Sequence, residues 1–553
     1  MNPLEEIDYH LIKNFFYTKN SLVDYNIPGS LFKGKLVRLW KDTFINNSNI
    51  FEVEHSSIIP SEILESTGYI DNLCEYVIYD DDGKCHNVYS FVKDWFINNK
   101  QENLATRVDT MTPKMLETYI KKYRMFKKND NIIKKKGLIV NITPHTYLPY
   151  ELSFGIFTNI NSHINFIGQI VEPFGLATVG KVYSYTKCQL NNVIESNQGS
   201  IFYFFDPLNH DSIISSSNVK IFVLTKNIQS VGKNDMMFLT LDTIIKKKLM
   251  NNTYLKFISK SIHFLHMLGF NEDKIRMRQL MQKELYHYAT DSWTLEIIYG
   301  GRWYSIIEFI NRGNYDLQIY NVSTGEINFR RKLSKPIIET FYKPQFNMEE
   351  LNGRYPQQSL QIINHFQKLS QPELIDMKSS LDKNDGTIYL SFDSNICILS
   401  NNMVTIEKKE QKILYEDYLP HVLESRFYFD HLICLCLSHS YHKSDETNKL
   451  ILPKNLIPYP VGIVYDSQLA SVKKIVNELE GKLKEINLGF YTNSGKGNIN
   501  LKCAQFNEMG TLITCVINQN LIKSKSIELR IIDGQTDIIP IKDFIKKILE
   551  YYY

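Results

Sequence analysis

The sequence predicts an α/β (α+β) fold: an antiparallel sheet flanked by helices, followed by a small C-terminal α/β domain. Three observations predict it. Between residues 137 and 205 the runs GLIVNI, FGIFTNI, INFIGQIV and SIFYFF read as strands of one sizeable sheet. Residues 31–45 place Leu31, Leu36, Leu39, Trp40 and Phe44 at near-helical spacing. Residues 251–290 do the same with Ile258, Ile262, Leu265 and Leu268, and a second helix is expected from Asp273. From Leu450 onward, strand YPVGIVYD, helix SVKKIVNELEGKLKEI, strands TLITCVI and SIELRII and helix KDFIKKILEYYY succeed one another, the order of a small unit with a mixed sheet.

The remaining segments are less regular. FEVEHSSIIP alternates as an extended stretch that stops at Pro60, residues 81–137 fall into polar turns and a basic tract, and residues 300–400 read as short strands between turns. A chain of 553 residues has room for about three domains with real cores. Lys and Arg number 63 against 60 Asp and Glu, a net charge of +3, so affinity for an acidic partner has to come from local patches. The eight cysteines show no C-x-x-C spacing, which argues against a zinc site and a disulfide framework and for a reducing compartment. His431, His439 and His442 with Cys434 and Cys436 would scatter around a helix, so no metal is expected there. The N-terminus has no basic stretch leading into an apolar core, and no apolar run reaches the roughly 18–20 residues of a membrane span. A soluble, cytoplasmic protein without a membrane partner is the expectation.

The tract YIKKYRMFKKNDNIIKKKG, residues 119–137, interleaves Lys121, Lys122, Arg124, Lys127, Lys128, Lys134, Lys135 and Lys136 with Tyr119, Tyr123 and Phe126. That pattern suits phosphate contacts with base stacking, and equally a helix packing one aromatic face. SGKGN, residues 494–498, lacks the G-x-x-x-x-G-K-[ST] spacing of a phosphate loop and reads as a hairpin.

Residues 252–296, above all KIRMRQ and KELYHYATDSW, resemble the glycyl-tRNA synthetases of eukaryotic and archaeal type. FEVEHSSIIPSEILESTGYIDN is similar to the first class II synthetase motif, EDYLPHVLESRF to the approach to the third, and the C-terminal unit to an anticodon-binding domain. The resemblance implies a class II core and a homodimer with its interface near Pro60. It divides the chain into a first part of the core (1–80), a basic insertion (81–147), core with the second motif (148–250), a helical insertion (251–300), core with the third motif (301–449) and the anticodon-binding-like domain (450–553).

Aminoacyl adenylation needs cations aimed at ATP phosphates and at the charge developing on the transferred phosphorus. Against the family's Phe-Arg-Asn-Glu run, VGKVYSYTKC places Ser184 at the Arg and Thr186 at the Glu. Against Glu-Pro-Ser-Phe-Gly-Leu-Gly-Arg, ESRFYFDH places Arg426 at the Ser, Tyr428 and Asp430 at the glycines and His431 at the Arg. Ser305 and Ser200 fall at acidic positions that recognise glycine, whereas Glu151, Glu195, Asn311 and Arg312 match. An ammonium substrate needs paired carboxylates, which Ser cannot replace, and Arg426 would repel it. One lost donor costs about 10²–10³ in rate. The expectation is therefore a retired active site, not an enzyme and needing no cofactor, with ESRFYFDH crowded because no nucleotide enters. Such a protein would be a dimer binding tRNA or another structured RNA, with Lys496 and Lys502 among its contacts, or an accessory subunit of a polymerase or RNA-processing protein. The alternative is a divergent but active glycine–tRNA ligase using ATP and Mg²⁺, with Lys181, Lys187 or His431 as substitute cations.

Overall fold

Alternation of apolar and polar side chains organises the main sheet. In the computed structural model, which describes residues 16–18, 21–46, 49–80, 85–105, 107–108, 111–126, 133–137, 139–168, 173–184, 195–208, 219–231, 235–250, 252–324, 329–383, 386–392, 395–443, 448–465, 469–494 and 497–552, this sheet has nine strands. They are β1 (Ile50–Glu52), β2 (Phe174–Tyr183), β3 (Glu195–Phe205), β4 (Lys220–Leu224), β5 (Met237–Thr240), β6 (Ile275–Gln279), β7 (Asp291–Tyr299), β8 (Arg302–Gly313) and β9 (His421–Tyr428), in the spatial order β5-β4-β6-β7-β8-β9-β3-β2-β1. The six strands from β6 to β2 are mutually antiparallel. The antiparallel core that the sequence suggests is these six strands, and the parallel pairs β1–β2 and β4–β6 at its margins make the whole sheet mixed.

One face of the sheet is apolar and is covered by α1 (Ile27–Phe44), α2 (Asn252–Met267) and α3 (Phe429–Ser440). The side chain of Asn26 caps α1, accepting from the Ile27 amide at 2.8 Å, and Phe32, Leu36, Trp40 and Phe44 recur every fourth residue to form its buried stripe. The Trp40 indole meets Phe427 and Phe429 edge-on, with ring centroids 5.6 Å away in each case, and Phe44 lies 4.9 Å from Phe427. Gly199 leaves room for this: a Cβ there would come within 2.5 Å of the Phe429 ring. The bulk of Phe427 and Phe429 is thus core packing on the helix side of the sheet, a cause independent of whether a nucleotide enters on the other face, to which Tyr428 belongs.

Residues 461–552 build a second, five-stranded sheet from β10 (Val461–Tyr465), β11 (Phe490–Asn493), β12 (Ile513–Ile517), β13 (Ser526–Ile531) and β14 (Thr536–Pro540), ordered β11-β10-β12-β13-β14. Its mixed character follows from parallel pairing of β10 with both neighbours and antiparallel pairing thereafter. The helix α4 (Ala470–Glu485) buries Val472, Val476, Leu479 and Leu483 on it, and α5 (Ile499–Glu508) is an element the sequence did not announce. A separate compact unit, residues 165–171 and 328–418, contains the antiparallel strands Arg330–Phe346 and Val404–Asp417 and the helices Met348–Arg354, Ser359–Lys368 and Gln371–Lys383 around Leu351, Ile362, Phe366 and Leu399. The span 301–449 is therefore divided between the two units.

Three local expectations are corrected. FGIFTNI and the described part of INFIGQIV are helical, Ser153–Thr158 and Ile160–Ile167, because Phe154, Phe157, Ile160 and Ile164 bury at a spacing of three to four rather than two. The helix expected from Asp273 is strand β6, in which Ile275, Met277 and Gln279 point inward and Arg276 and Arg278 alternate with them. Residues 300–400 hold strands of 12 and 17 residues and several helices, not short strands. Among the described residues no helix is long and apolar enough to cross a membrane.

Trp40→Ala should lower unfolding free energy by about 3–5 kcal/mol in urea titration, whereas Leu31→Ala, on the open side of the same helix, should stay within about 0.5 kcal/mol. The His55 and His163 rings stack edge to face 5.4 Å apart. Burial and then the His163 charge bring the His55 pKa down from 6.5 to about 4, and burial lowers that of His163. Because the folded-state values lie below the unfolded one, the unfolded chain binds more protons between pH 6.5 and 4, and stability is lost as pH falls through that window. The drop in Tm between pH 7 and pH 5 should be smaller in His163→Gln.

Candidate functional site

The face of the sheet opposite α1 to α3 carries charge. Strand β9 presents Glu424 and Arg426 on this side. Cross-strand register sets Ser200 of β3 and Glu308 of β8 on either flank of Arg426, and Thr294 of β7 beyond Glu308. Arg312, near the end of β8, is fully buried and bonds in three directions. It grips Asp316 through Nε at 2.7 Å and Nη2 at 3.0 Å, reaches Glu424 at 2.6 Å and Glu151 at 3.0 Å through Nη1, and meets the Tyr69 hydroxyl at 2.5 Å. Asp316 is delivered by the first turn of the helix Tyr315–Thr324, and Glu151 by the chain entering Ser153–Thr158.

Arg426 forms the second half of this layer. Its Nε donates to Glu424 at 2.9 Å, and Nη2 to Glu151 at 2.7 Å, Glu424 at 3.1 Å and the Tyr288 hydroxyl at 3.2 Å. Glu151 also accepts from the hydroxyls of Tyr69 at 2.8 Å, Ser153 and Tyr288. Burial alone would raise the Glu151 pKa, but Arg312 and then Arg426 outweigh it and hold the carboxyl far below the ordinary range. Burial raises the pKa of Glu308, with Arg426 only partly opposing. Tyr288 lies 3.7 Å beneath the Arg312 guanidinium and Tyr286 5.0 Å from that of Arg426, closing the layer with aromatic faces.

Of the sequence candidates, Glu151, Ser200, Arg312 and Arg426 converge here, Ser200 donating to Glu424 at 3.3 Å. Ser305 joins through its side-chain bond to Thr294, and its carbonyl accepts from His431 Nδ1 at 2.8 Å. Asn311 serves its own strand end, its side chain accepting from the Gly313 amide at 3.0 Å. Glu195 pairs with Lys181 at 2.5 Å on the partly exposed end of β2 and β3, five residues and roughly 17 Å of strand from Ser200. Ser184 is at that end too, while Thr186 and Lys187 lie outside the described residues. Asp430, which the resemblance sets at a glycine position, ties α3 to β3, accepting from the Asn197 amide at 2.6 Å, its Nδ2 at 2.9 Å and the Tyr25 hydroxyl.

Sequence reasoning missed Glu424, Glu308, Asp316, Tyr69 and Tyr288. Glu424 and Glu308 each interrupt an apolar strand, a signal of a paired buried charge that was available in LESRF and SIIEFIN.

The basic candidates fare differently. Lys502 is buried on α5 with its ammonium donating to the Tyr465 carbonyl at 2.9 Å, so it supports the C-terminal domain from within and is not offered to phosphate. Tyr119 and Tyr123 pack against Phe96, and Phe126 stacks on Phe91 at 4.6 Å, which favours the packed-helix account of that tract over free stacking platforms. Lys121 pairs with Glu117, Lys122 lies over Tyr123, and Arg124 ends the helix with φ 48°. Lys127, Lys128 and Lys496, and the side chains of Lys134, Lys135 and Lys136, lie outside the described residues. Among the described residues no cluster of three His, Cys, Asp or Glu is arranged to hold a metal.

Solved structures place this architecture. The Giardia lamblia prolyl-tRNA synthetase in complex with prolyl-adenylate superposes with a TM-score of 0.51 at 10% identity, covering 99% of this chain and 79% of that one. The Cryptosporidium parvum prolyl-tRNA synthetase complexed with L-proline and AMP gives 0.50 at 8% identity, over 99% and 75%. The fold is that of the class II aminoacyl-tRNA synthetases. No family model matches the chain. Glycine–tRNA ligase 2 of Saccharomyces cerevisiae is 24% identical over 568 residues, 95% of this chain and 92% of that protein, and the glycine–tRNA ligase of Methanocaldococcus jannaschii is 24% identical over 92% and 90%. The chain is a glycyl-tRNA synthetase-like homologue.

These relatives overturn two expectations. Proteins that match over nearly the whole length are ligases, so the inference that the chain is no enzyme is withdrawn, and so is the inference that it needs no nucleotide, the structural neighbours being solved with an adenylate and with AMP. The expectation took motif positions one at a time, whereas the structure joins Glu151, Glu424, Arg312 and Arg426 in one ion-pair network. Arg312→Met should destabilise the protein by about 3–5 kcal/mol in denaturant unfolding, because it strands Glu151, Glu424 and Asp316 without their shared cation.

Proposed function

We propose that the chain joins glycine to tRNA at the expense of ATP, with Mg²⁺ as a cofactor, acting as a homodimer. The observation that carries this reading is the match to glycine–tRNA ligases across 95% of the chain, which includes the strands of the charged layer. In the reaction a glycine carboxylate oxygen attacks the α-phosphorus of ATP and pyrophosphate leaves. A ribose hydroxyl of the tRNA terminus then attacks the acyl carbon, and AMP departs. The layer can contribute pre-organisation: Arg312 orients Glu151 at 3.0 Å and Glu424 at 2.6 Å, with the Tyr288 ring against its guanidinium. Lys33 and Lys181, beside Asn197 and Glu195, are cations suited to ATP phosphates at the hairpin end of β2 and β3. The C-terminal domain, similar in plan to an anticodon-binding domain, would take the tRNA.

Exchange of labelled pyrophosphate into ATP tests the reading. Glycine-dependent exchange clearly above the enzyme-free background is expected, lost on chelation of Mg²⁺. Exchange at background with glycine and ATP both saturating would remove ligase activity as the function.

A further inference from the structure

Four acids of the buried network, Glu151, Glu308, Asp316 and Glu424, face two guanidiniums, Arg312 and Arg426, so the acids outnumber the cations that pair with them. Glu151, Asp316 and Glu424 are each held by close ion pairs. Glu308 is not: its nearest cation is Arg426 Nη1 at 3.9 Å, the Tyr428 hydroxyl bonds its carboxylate, and its Oε2 is buried without a hydrogen-bond partner. Arg426 spends Nε and Nη2 on Glu424, Glu151 and Tyr288, and Nη1 makes no hydrogen bond among the described residues. A buried carboxylate oxygen lacking a donor, beside a guanidinium nitrogen lacking an acceptor, is an unmatched pair that costs free energy unless a ligand completes both.

The backbone explains why Glu308 stands there. Pairing of β7 with β8 shifts by one residue: Glu296 faces Ser305 while Leu295 faces Ile307. The extra residue, Ile306, is a bulge that re-aims the strand. It brings Ser305 and Glu308 to the same face, where Thr294, the cross-strand neighbour of Glu308, bonds the Ser305 side chain. Ser305 is where the resemblance calls for an acid. One bulge further along, the strand supplies it.

We infer that Glu308 and Arg426 together form the amino-acid subsite, Glu308 receiving the ammonium and Arg426 Nη1 the carboxylate of a small zwitterion. An α-amino acid presents those two charges two bonds apart, a spacing that matches two side chains set opposite each other on neighbouring strands. Burial pushes the Glu308 carboxyl up, so an arriving ammonium also relieves its isolation. Arg426, which the sequence marked as a repellent of ammonium, instead holds the other end of the molecule while its remaining nitrogens stay on Glu151 and Glu424. The choice of an amino acid as ligand rests on the ligase reading; the binding chemistry does not require the ligation step.

The test is calorimetric titration of the full-length protein with glycine, glycolate and methylammonium, alongside Glu308→Gln and pyrophosphate exchange. Glycine should bind, and each singly charged fragment should bind at least about tenfold more weakly. Glu308→Gln should weaken glycine about tenfold to a hundredfold and leave ATP affinity within about twofold, a split that general loss of structure would not give. Equal binding of glycine and glycolate by the unaltered protein, an unchanged glycine Kd in Glu308→Gln, or no glycine binding at all would overturn the inference. Glycine binding without exchange sinks the ligase reading and supports the subsite. Exchange with an unchanged glycine KM in Glu308→Gln does the reverse.

Discussion

A guanidinium cannot be buried without partners, and Arg312 finds its partners on four separate stretches of chain. Tyr69 comes from the N-terminal region, Glu151 from the chain just before the helix Ser153–Thr158, Asp316 from the helix Tyr315–Thr324 that follows β8, and Glu424 from β9. A slip of any strand by one residue would turn its charge toward the helices and leave it unpaired in the apolar layer, so the ion-pair network fixes the register of the sheet as well as its own geometry. The same network sets the electrostatics of the site, since Arg312 and Arg426 hold the Glu151 pKa far below the ordinary range where burial alone would raise it.

The two faces of the sheet divide the labour. Trp40, Phe44, Phe427 and Phe429 build the apolar side with Gly199 as the gap that admits them, and β9 serves both sides at once by alternation: Phe427 inward, Glu424 and Arg426 on the charged face. The crowding of ESRFYFDH is therefore two patterns superposed on one strand and one helix start, an aromatic core and a charged layer.

Much of this was legible in the sequence. The stripe of α1, the apolar face of α2, the alternation of SIFYFF and the plan of the C-terminal domain all follow from periods of 3.6 or 2, and the resemblance to glycyl-tRNA synthetases rests on residues the structure sets in β6 and β7. What failed were short apolar runs. FGIFTNI fits either period, and only packing chose the helix; KIRMRQ alternates like a strand but follows the α2 segment closely enough to be read as the start of a second helix. The site was half legible. Glu151 and Arg312 were singled out as matches to the family and Ser200 and Arg426 as departures from it, and all four meet in the layer, whereas Glu308 has its role through a bulge at Ile306, and nothing in a linear string announces where a strand will gain a residue.

The most direct measurement is a crystal structure of the protein with glycine and AMP, in which the position of the glycine nitrogen decides the matter. With the account above it lies at roughly 2.7–3.0 Å from a Glu308 carboxylate oxygen while Arg426 remains on Glu151 and Glu424. A nitrogen found between Glu151 and Glu424, with Arg426 swung out of the layer, would contradict it.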